Sequence, residues 1–323
     1  MRQSDLLWFV FASFAVGRLY DILVFFFLMI RRPPRSTLSS SSAASVCIRD
    51  RPIREYHTYE ILPEAIAVSQ YHFPFVVHHG DLYEADFEQF KGFDLLLAGT
   101  CCQSLSRVRI ESKEVNNGLD GKSGIFFKAI ECLRAIQPKY FRFENVIPSS
   151  DEDLKTMTEC IGVEPILIDS GKFSAQSRER YYWTNIPLLP YEKSNLLFSD
   201  IADTDSEFLS RSIEQYADTI KWSKDGLSVR WDTSGKGYYS QANRAKLPNQ
   251  KWNTVCASRA ESKGNVWLGN NIIRLVTMSE LEKLQTLPVG YTECLKNKEK
   301  RGKGIGNGWT VDVIAHILSG LPH

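Results

Sequence analysis

Apolar positions fall into two regimes along this chain. From Leu6 to Ile30 they are nearly continuous, with Trp8, Phe9, Phe11, Phe14 and Phe25-Phe26-Phe27, broken by Arg18 and Asp21. Arg31-Arg32-Pro33-Pro34-Arg35 and a serine-rich stretch from Ser36 to Ser45 follow. Such a run is long enough to cross a bilayer with the arginines held inside, so a signal anchor is one reading. From about Ile53 short apolar runs alternate with segments of helical spacing. Ala65 to Tyr71 predicts a helix, and Phe75 to His78 a strand ending at Gly80-Asp81. Phe93 to Ala98 predicts a buried strand before Gly99, Ile125 to Ile136 a helix, and Tyr140 to Phe143 a strand ending at Glu144-Asn145. Leu154 to Ile161 reads as helix and Pro165 to Ile168 as strand. This alternation predicts an α/β fold, a parallel sheet with helices on both faces. In such sheets chemistry collects at the carboxyl ends of strands. Asp81, Cys101-Cys102 and Glu144-Asn145 all lie just past predicted strand ends.

Composition narrows the class. The chain has 323 residues, 43% of them hydrophobic and 24% charged, with a net charge of +1. Those values fit a globular chain and not a collagenous, disordered or polytopic membrane one. Its 7 cysteines are odd in number and lack paired CxxC spacing, which argues against a disulfide framework or a zinc ribbon. No metal is expected, and the cytoplasm is the expected compartment. Charge is unevenly placed. Residues 191–220 hold seven acidic and two basic side chains, whereas residues 221–271 hold nine basic and three acidic ones. The second stretch interleaves Trp222, Trp231, Tyr238, Tyr239, Trp252 and Trp267 with Lys224, Arg230, Lys236, Arg244, Lys246, Lys251 and Arg259. Basic and aromatic residues so mixed can neutralise phosphates and reach base edges.

Five segments in order carry a family resemblance: GTCCQSLS from Gly99, FRFENV from Phe141, QSRERYYWTNIP from Gln176, RLVTMSELEKLQTLPVGYT from Arg274 and IGNGWTVDVIAHIL from Ile305. Together they resemble the C5-specific cytosine DNA methyltransferases, over roughly Tyr56 to Leu318. The resemblance implies a Rossmann-like sheet that uses S-adenosylmethionine, a smaller target-recognition lobe, and double-stranded DNA as partner of a monomer. Cytosine C5 needs activation, and a thiolate adding at C6 makes C5 enamine-like. Cys102 matches that nucleophile, and Glu144 the acid that holds or protonates N3. Arg180 matches the arginine near O2 and the glutamate, and Arg178 its companion at the nucleophile loop and DNA backbone. Gln103 and Ser106 lie on the loop that closes over the flipped base. Asn145 is read as shaping the turn that holds Glu144, not as touching the substrate. For the cofactor, Glu60 matches the ribose-binding acid, Ile61 lies against adenine, Asp81 binds the adenine amine, and Asn307 and Trp309 match the returning C-terminal motif.

Two departures stand out. Cys101 occupies the place of a proline, keeping the carbonyl but losing a fixed φ. The family's opening strand and glycine turn should fall near residues 30–35, yet no glycine lies between Gly17 and Gly80. The string from Phe25 to Arg51 resembles translated sequencing-adapter sequence. Residues 1–52 are therefore read as foreign to the fold, joined to a gene lacking its first strand, with a membrane anchor over residues 6–30 or a soluble segment as alternatives. The expected layout is a catalytic α/β domain at 53–187, a target-recognition domain at 188–273 and a return to the catalytic domain at 274–323. Two rival functions stay open: a catalytically impaired DNA-binding relative, and an RNA cytosine-C5 methyltransferase.

Overall fold

The computed structural model describes residues 26–31, 55–100, 105, 119, 124–203, 210–239, 243–257 and 264–322. Two compact units emerge. The first comprises the described residues of Met1–Asp169, Glu179–Tyr191 and Val311–His323, the second those of Ser170–Arg178 and Glu192–Thr310. Residues 274–310 thus pack with the second unit, and only the last helix joins the first.

A seven-stranded sheet forms the first unit: β1 (Phe26–Arg31), β2 (Glu55–Tyr59), β3 (Val77–His78), β4 (Leu95–Gly99), β5 (Tyr140–Asn145), β6 (Ile166–Asp169) and β7 (Glu179–Thr184), in the order β3-β2-β1-β4-β5-β7-β6. Its helices are α1 (Pro63–His72), α2 (Ile125–Ile136), α3 (Asp151–Ile161) and the returning helix Val311–Ser319. Leu95 to Gly99 are buried throughout, as a central strand covered on both faces requires. Leu96, Ala98, Phe143 and Trp183 share a core with Phe126, Ala129, Ile130 and Ile136 of α2 and Met157 and Ile161 of α3. Ser150 caps α3 by accepting from the Glu152 and Asp153 amides, three acidic residues fill its first turn, and Gly162 ends it at φ 83°.

The sheet is mixed where a parallel one was expected. Parallel pairing is found for β2 with β3 and for β4 with β5. β7 runs antiparallel to β5 and β6, because residues 170–178 are too few for a crossover helix. β1 runs antiparallel to both β2 and β4, with Phe26 beside Gly99 and Ile30 beside Leu95. The chain therefore enters β1 at the edge where β4 leaves the sheet.

The second unit carries a six-stranded sheet, β8-β13-β12-β11-β10-β9, made of β8 (Ser210–Ser212), β9 (Lys221–Trp222), β10 (Ser228–Arg230), β11 (Arg244–Lys246), β12 (Asn265–Gly269) and β13 (Ile272–Leu275). Ile213, Val229, Trp231, Ala245 and Ile273 form its core. Three helices follow the pattern of their caps: α4 (Phe198–Ile201), α5 (Met278–Leu284) behind a Thr277–Glu280 capping box, and α6 (Lys298–Asn307) behind Asn297. The helix Val311–Ser319 is then α7. Among the described residues no helix is long and apolar enough to cross a membrane, and residues 26–30 of the alternative anchor reading are strand. Residues 1–25 lie outside the described ones.

Candidate active site

The carboxyl ends of β4 and β5 lie side by side, with Gly99 registered on Glu144. Asn145 fastens them. Its Nδ2 donates to Thr100 Oγ1 at 2.8 Å and its Oδ1 accepts from the Val146 amide at 2.8 Å. Five residues after Thr100 the chain is fastened again, where the buried Leu105 accepts from the Ser149 amide at 3.0 Å. Cys101, Cys102 and Gln103 fall between these anchors and lie outside the described residues, as does Ser106.

Glu144 ends β5 on the face that also carries Arg142, since residues two apart share a face. β7 brings Tyr182 into register with Glu144, and so places Arg180 on the same face. Arg180 Nε stands 3.3 Å from Glu144 Oε1, with both side chains largely buried, and its Nη1 donates to the Glu179 carbonyl at 2.7 Å. Arg142 is wholly buried. Burial pulls its guanidinium down to about 10, against the opposing pull of Glu144 and Tyr182. Arg142 and Arg180 thus share a sheet face with Glu144 at that strand end.

Arg178 belongs to the second unit. Buried there, it donates from Nη1 to the Val255 carbonyl at 3.0 Å and from Nη2 to the carbonyls of Gly306 and Gly308 at 3.3 and 3.2 Å. This is a staple between loops. Beside it Gln176 donates to the Leu284 carbonyl and to Gln285 Oε1, and accepts from the Val255 amide. Gln285 in turn donates to the carbonyls of Ile305 and Gly308 and accepts from Thr310. Sequence reading quoted both glutamines inside motifs without a role for either. Their positions in QSR and LQTL were the available signal. Asn307 and the buried Trp309 sit in the segment this network holds.

Glu60, Ile61 and Asp81 are in the first unit. Glu60 follows β2 and is 1% exposed. Its Oε1 accepts from the Ile61 and Leu62 amides, both at 2.9 Å, just ahead of α1. Its Oε2 is buried without a partner, and burial pushes the carboxyl well above its usual range. An orphaned carboxylate oxygen of this kind fits a ligand bearing hydroxyl groups. Ile61 is 37% exposed, as a side chain meant to lie against a ring would be. Asp81 follows β3 and accepts from the Tyr83 amide at 2.9 Å. These residues suit the adenosine part of S-adenosylmethionine. The methionine part fits less well. In sheets of this order ligands lie at the carboxyl ends of the strands flanking the reversal of strand order, here β1 and β4. At that edge β1 presents its amino end, and residues 18–79 contain no glycine for a close turn.

The profile of the family described as C-5 cytosine-specific DNA methylase matches residues 52–186. Over those residues, less than half of the chain, it is similar to that family. Type II methyltransferase M.NgoBV of Neisseria gonorrhoeae is 27% identical over 229 residues, covering 59% of this chain and 52% of that protein. M.NlaIV of Neisseria lactamica is alike in identity and coverage. The orphan methyltransferase M.SPRI of Bacillus phage SPR is 34% identical over 116 residues, 33% of this chain and 26% of its own. The chain spans about half the length of the two Neisseria relatives. Among solved structures, the Entamoeba histolytica methyltransferase EhMeth superposes with a TM-score of 0.58 at 14% identity, covering 81% of this chain and 88% of its own. A putative DNA modification methyltransferase encoded within a prophage of E. coli gives 0.52 at 15% identity, covering 82% and 90%. These likenesses establish the methyltransferase fold.

Proposed function

We propose that this chain is a C5 cytosine methylase that acts on double-stranded DNA through a covalent adduct at Cys102. The observation that carries the reading is the Arg180–Glu144 pair at the end of β5, registered on the strand end that leads into Thr100-Cys101-Cys102. Covalent geometry holds a residue two positions past Thr100 to about 7 Å of it, Cα to Cα. A thiolate there adds to C6 of a flipped cytosine while Glu144 holds N3 and Arg180 orients Glu144. C5 then takes the methyl group, loses its proton, and the thiolate leaves. Glu60, Ile61 and Asp81 would hold the adenosine part of S-adenosylmethionine, which supplies the methyl group. Target recognition falls to residues 188–273, on the strength of the basic and aromatic content of residues 221–271.

The reversed β1 favours a second reading, a relative impaired in cofactor binding that keeps its nucleophile and acid. Trapping on duplex DNA containing 5-fluorocytosine tests the first. An adduct at Cys102 that Cys102→Ser removes supports it, and an adduct at Cys101 overturns it. Running transfer RNA in parallel separates DNA from RNA as substrate.

A further inference from the structure

Arg230 on β10 stands directly across from Arg244 on β11, and Ser228 across from Lys246. Opposed residues, and residues two apart, share a sheet face. Arg230, Arg244 and Lys246 therefore line one face, while Val229 and Ala245 turn to the other and join the core. Like charges directly opposed weaken a strand pair, and here a third cation is added along the ladder. The partners these cations find are mostly neutral. Lys246 Nζ donates to Asn253 Oδ1 at 2.6 Å, and Arg244 Nη2 to Ser228 Oγ at 3.2 Å. Arg244 Nε is buried without an acceptor. Asp225 is the acidic influence on Arg244 and Lys246, and its Oδ1 is already engaged by Ser223 and the Leu227 amide. Burial and Arg244 together pull the Lys246 ammonium down to about 8. Arg274, two strands away, shows the contrast, because Glu280 meets its guanidinium at 2.6 and 2.9 Å.

We propose that the half-buried Arg230 and Arg244, backed by the buried Lys246, form a phosphate-binding site that grips the backbone of duplex DNA. The site rests on the DNA-binding reading above. A phosphate oxygen supplies the anion and the acceptors this face lacks. Its contribution is to position the duplex and carries no sequence preference, since it touches no base edge.

The test is anisotropy of a labelled duplex with the full chain, across a range of salt concentrations. Each phosphate contact adds about 0.9 to the slope of log affinity against log salt. The double variant R230Q/R244Q is expected to lose between one and two from that slope and to weaken all duplexes alike. The control K91Q keeps the wild-type slope. Thermal unfolding of the free double variant is expected at or above the wild-type midpoint, because the substitution relieves repulsion. A duplex-binding wild type whose double variant keeps the slope overturns the site alone. So does a double variant that loses binding by melting early. A wild-type chain that binds no duplex overturns the DNA reading and this site with it.

Discussion

Arg180 and Glu144 meet across β7 and β5 at 3.3 Å, two residues out of register and so on one sheet face, at the strand end. A carboxylate so placed cannot turn away from the space beyond β5 without losing its partner. Arg180→Ala is expected to cut methyl transfer by about 100-fold or more and Glu144→Gln by a further factor, within the 10²–10⁴ range of general acid catalysis. Arg180→Ala also removes the direct ion-pair partner of a largely buried carboxylate and leaves it only Arg142, at a cost of about 3 kcal/mol. Single-turnover rates and chemical denaturation of both variants check this. Equal rates in Arg180→Ala and wild type would show that the pair has no part in the reaction.

Arg178, expected at the nucleophile loop and DNA backbone, holds three carbonyls of the second unit. Arg178→Met should destabilise the protein by at least about 3 kcal/mol, from buried acceptors left without donors. The salt slope of DNA binding should stay at its wild-type value. A normal unfolding midpoint with a shallower slope would return Arg178 to the DNA.

Gly306 lies inside α6, where alanine is ordinarily preferred by about 1 kcal/mol. A Cβ at this position would stand 2.4 Å from the Cys256 carbonyl carbon and from the Ala257 amide nitrogen. Steric overlap with backbone outweighs propensity, so Gly306→Ala should cost about 1–3 kcal/mol. Urea denaturation reads the sign, and a stabilised variant refutes the close approach.

Glu60 gives a pH signature. Its folded carboxyl is held well above the ordinary glutamate value by burial, against the lowering effect of two amide bonds. The folded state therefore keeps its proton where the unfolded chain has lost it, and stability falls as pH rises from the unfolded value through the folded one. Glu60→Gln removes this dependence. Melting temperatures of the variant and wild type should diverge as pH rises from about 4.5. Parallel melting curves from acid to neutral pH would mean that Glu60 is not buried as a carboxyl.

S-adenosylmethionine should bind weakly, in the millimolar range or about −4 kcal/mol. The groups proposed to face adenosine are in place, but the sheet edge by Gly99 meets the amino end of β1. Calorimetric titration measures this. Micromolar binding would show that the donor is held without a glycine turn.

The elements that sequence made legible are those whose burial is two-sided or whose period is plain. Ile125 to Ile136 is helix at the residues its spacing predicted, and Leu95 to Gly99 is the buried strand that a continuous apolar run implied. Glu144 and Asn145 proved to be the last residues of β5, one pairing with Arg180 and the other with Thr100. Strand direction was not legible. An apolar run such as Phe26 to Ile30 reads the same in either sense, and only a connection long enough for a crossover decides between them. The second unit's sheet was hidden for another reason. Strands such as Lys221–Trp222 and Arg244–Lys246 are too short to show a period. The contact of Gln176 with Gln285 joins positions 109 apart, which no local pattern announces.

The place of β1 also bears on how the first sheet opens. β2 and β3 lie on one side of it and β4, β5, β7 and β6 on the other, with Phe26–Arg31, among the described residues, the sole ladder between the two sets. Amide hydrogens of β2 and β4 that point toward β1 can exchange with solvent only when that one seam parts. Their protection should therefore rise and fall together with that of residues 26–31, while amides in the ladder between β4 and β5 hold out longer, as a separate cooperative unit.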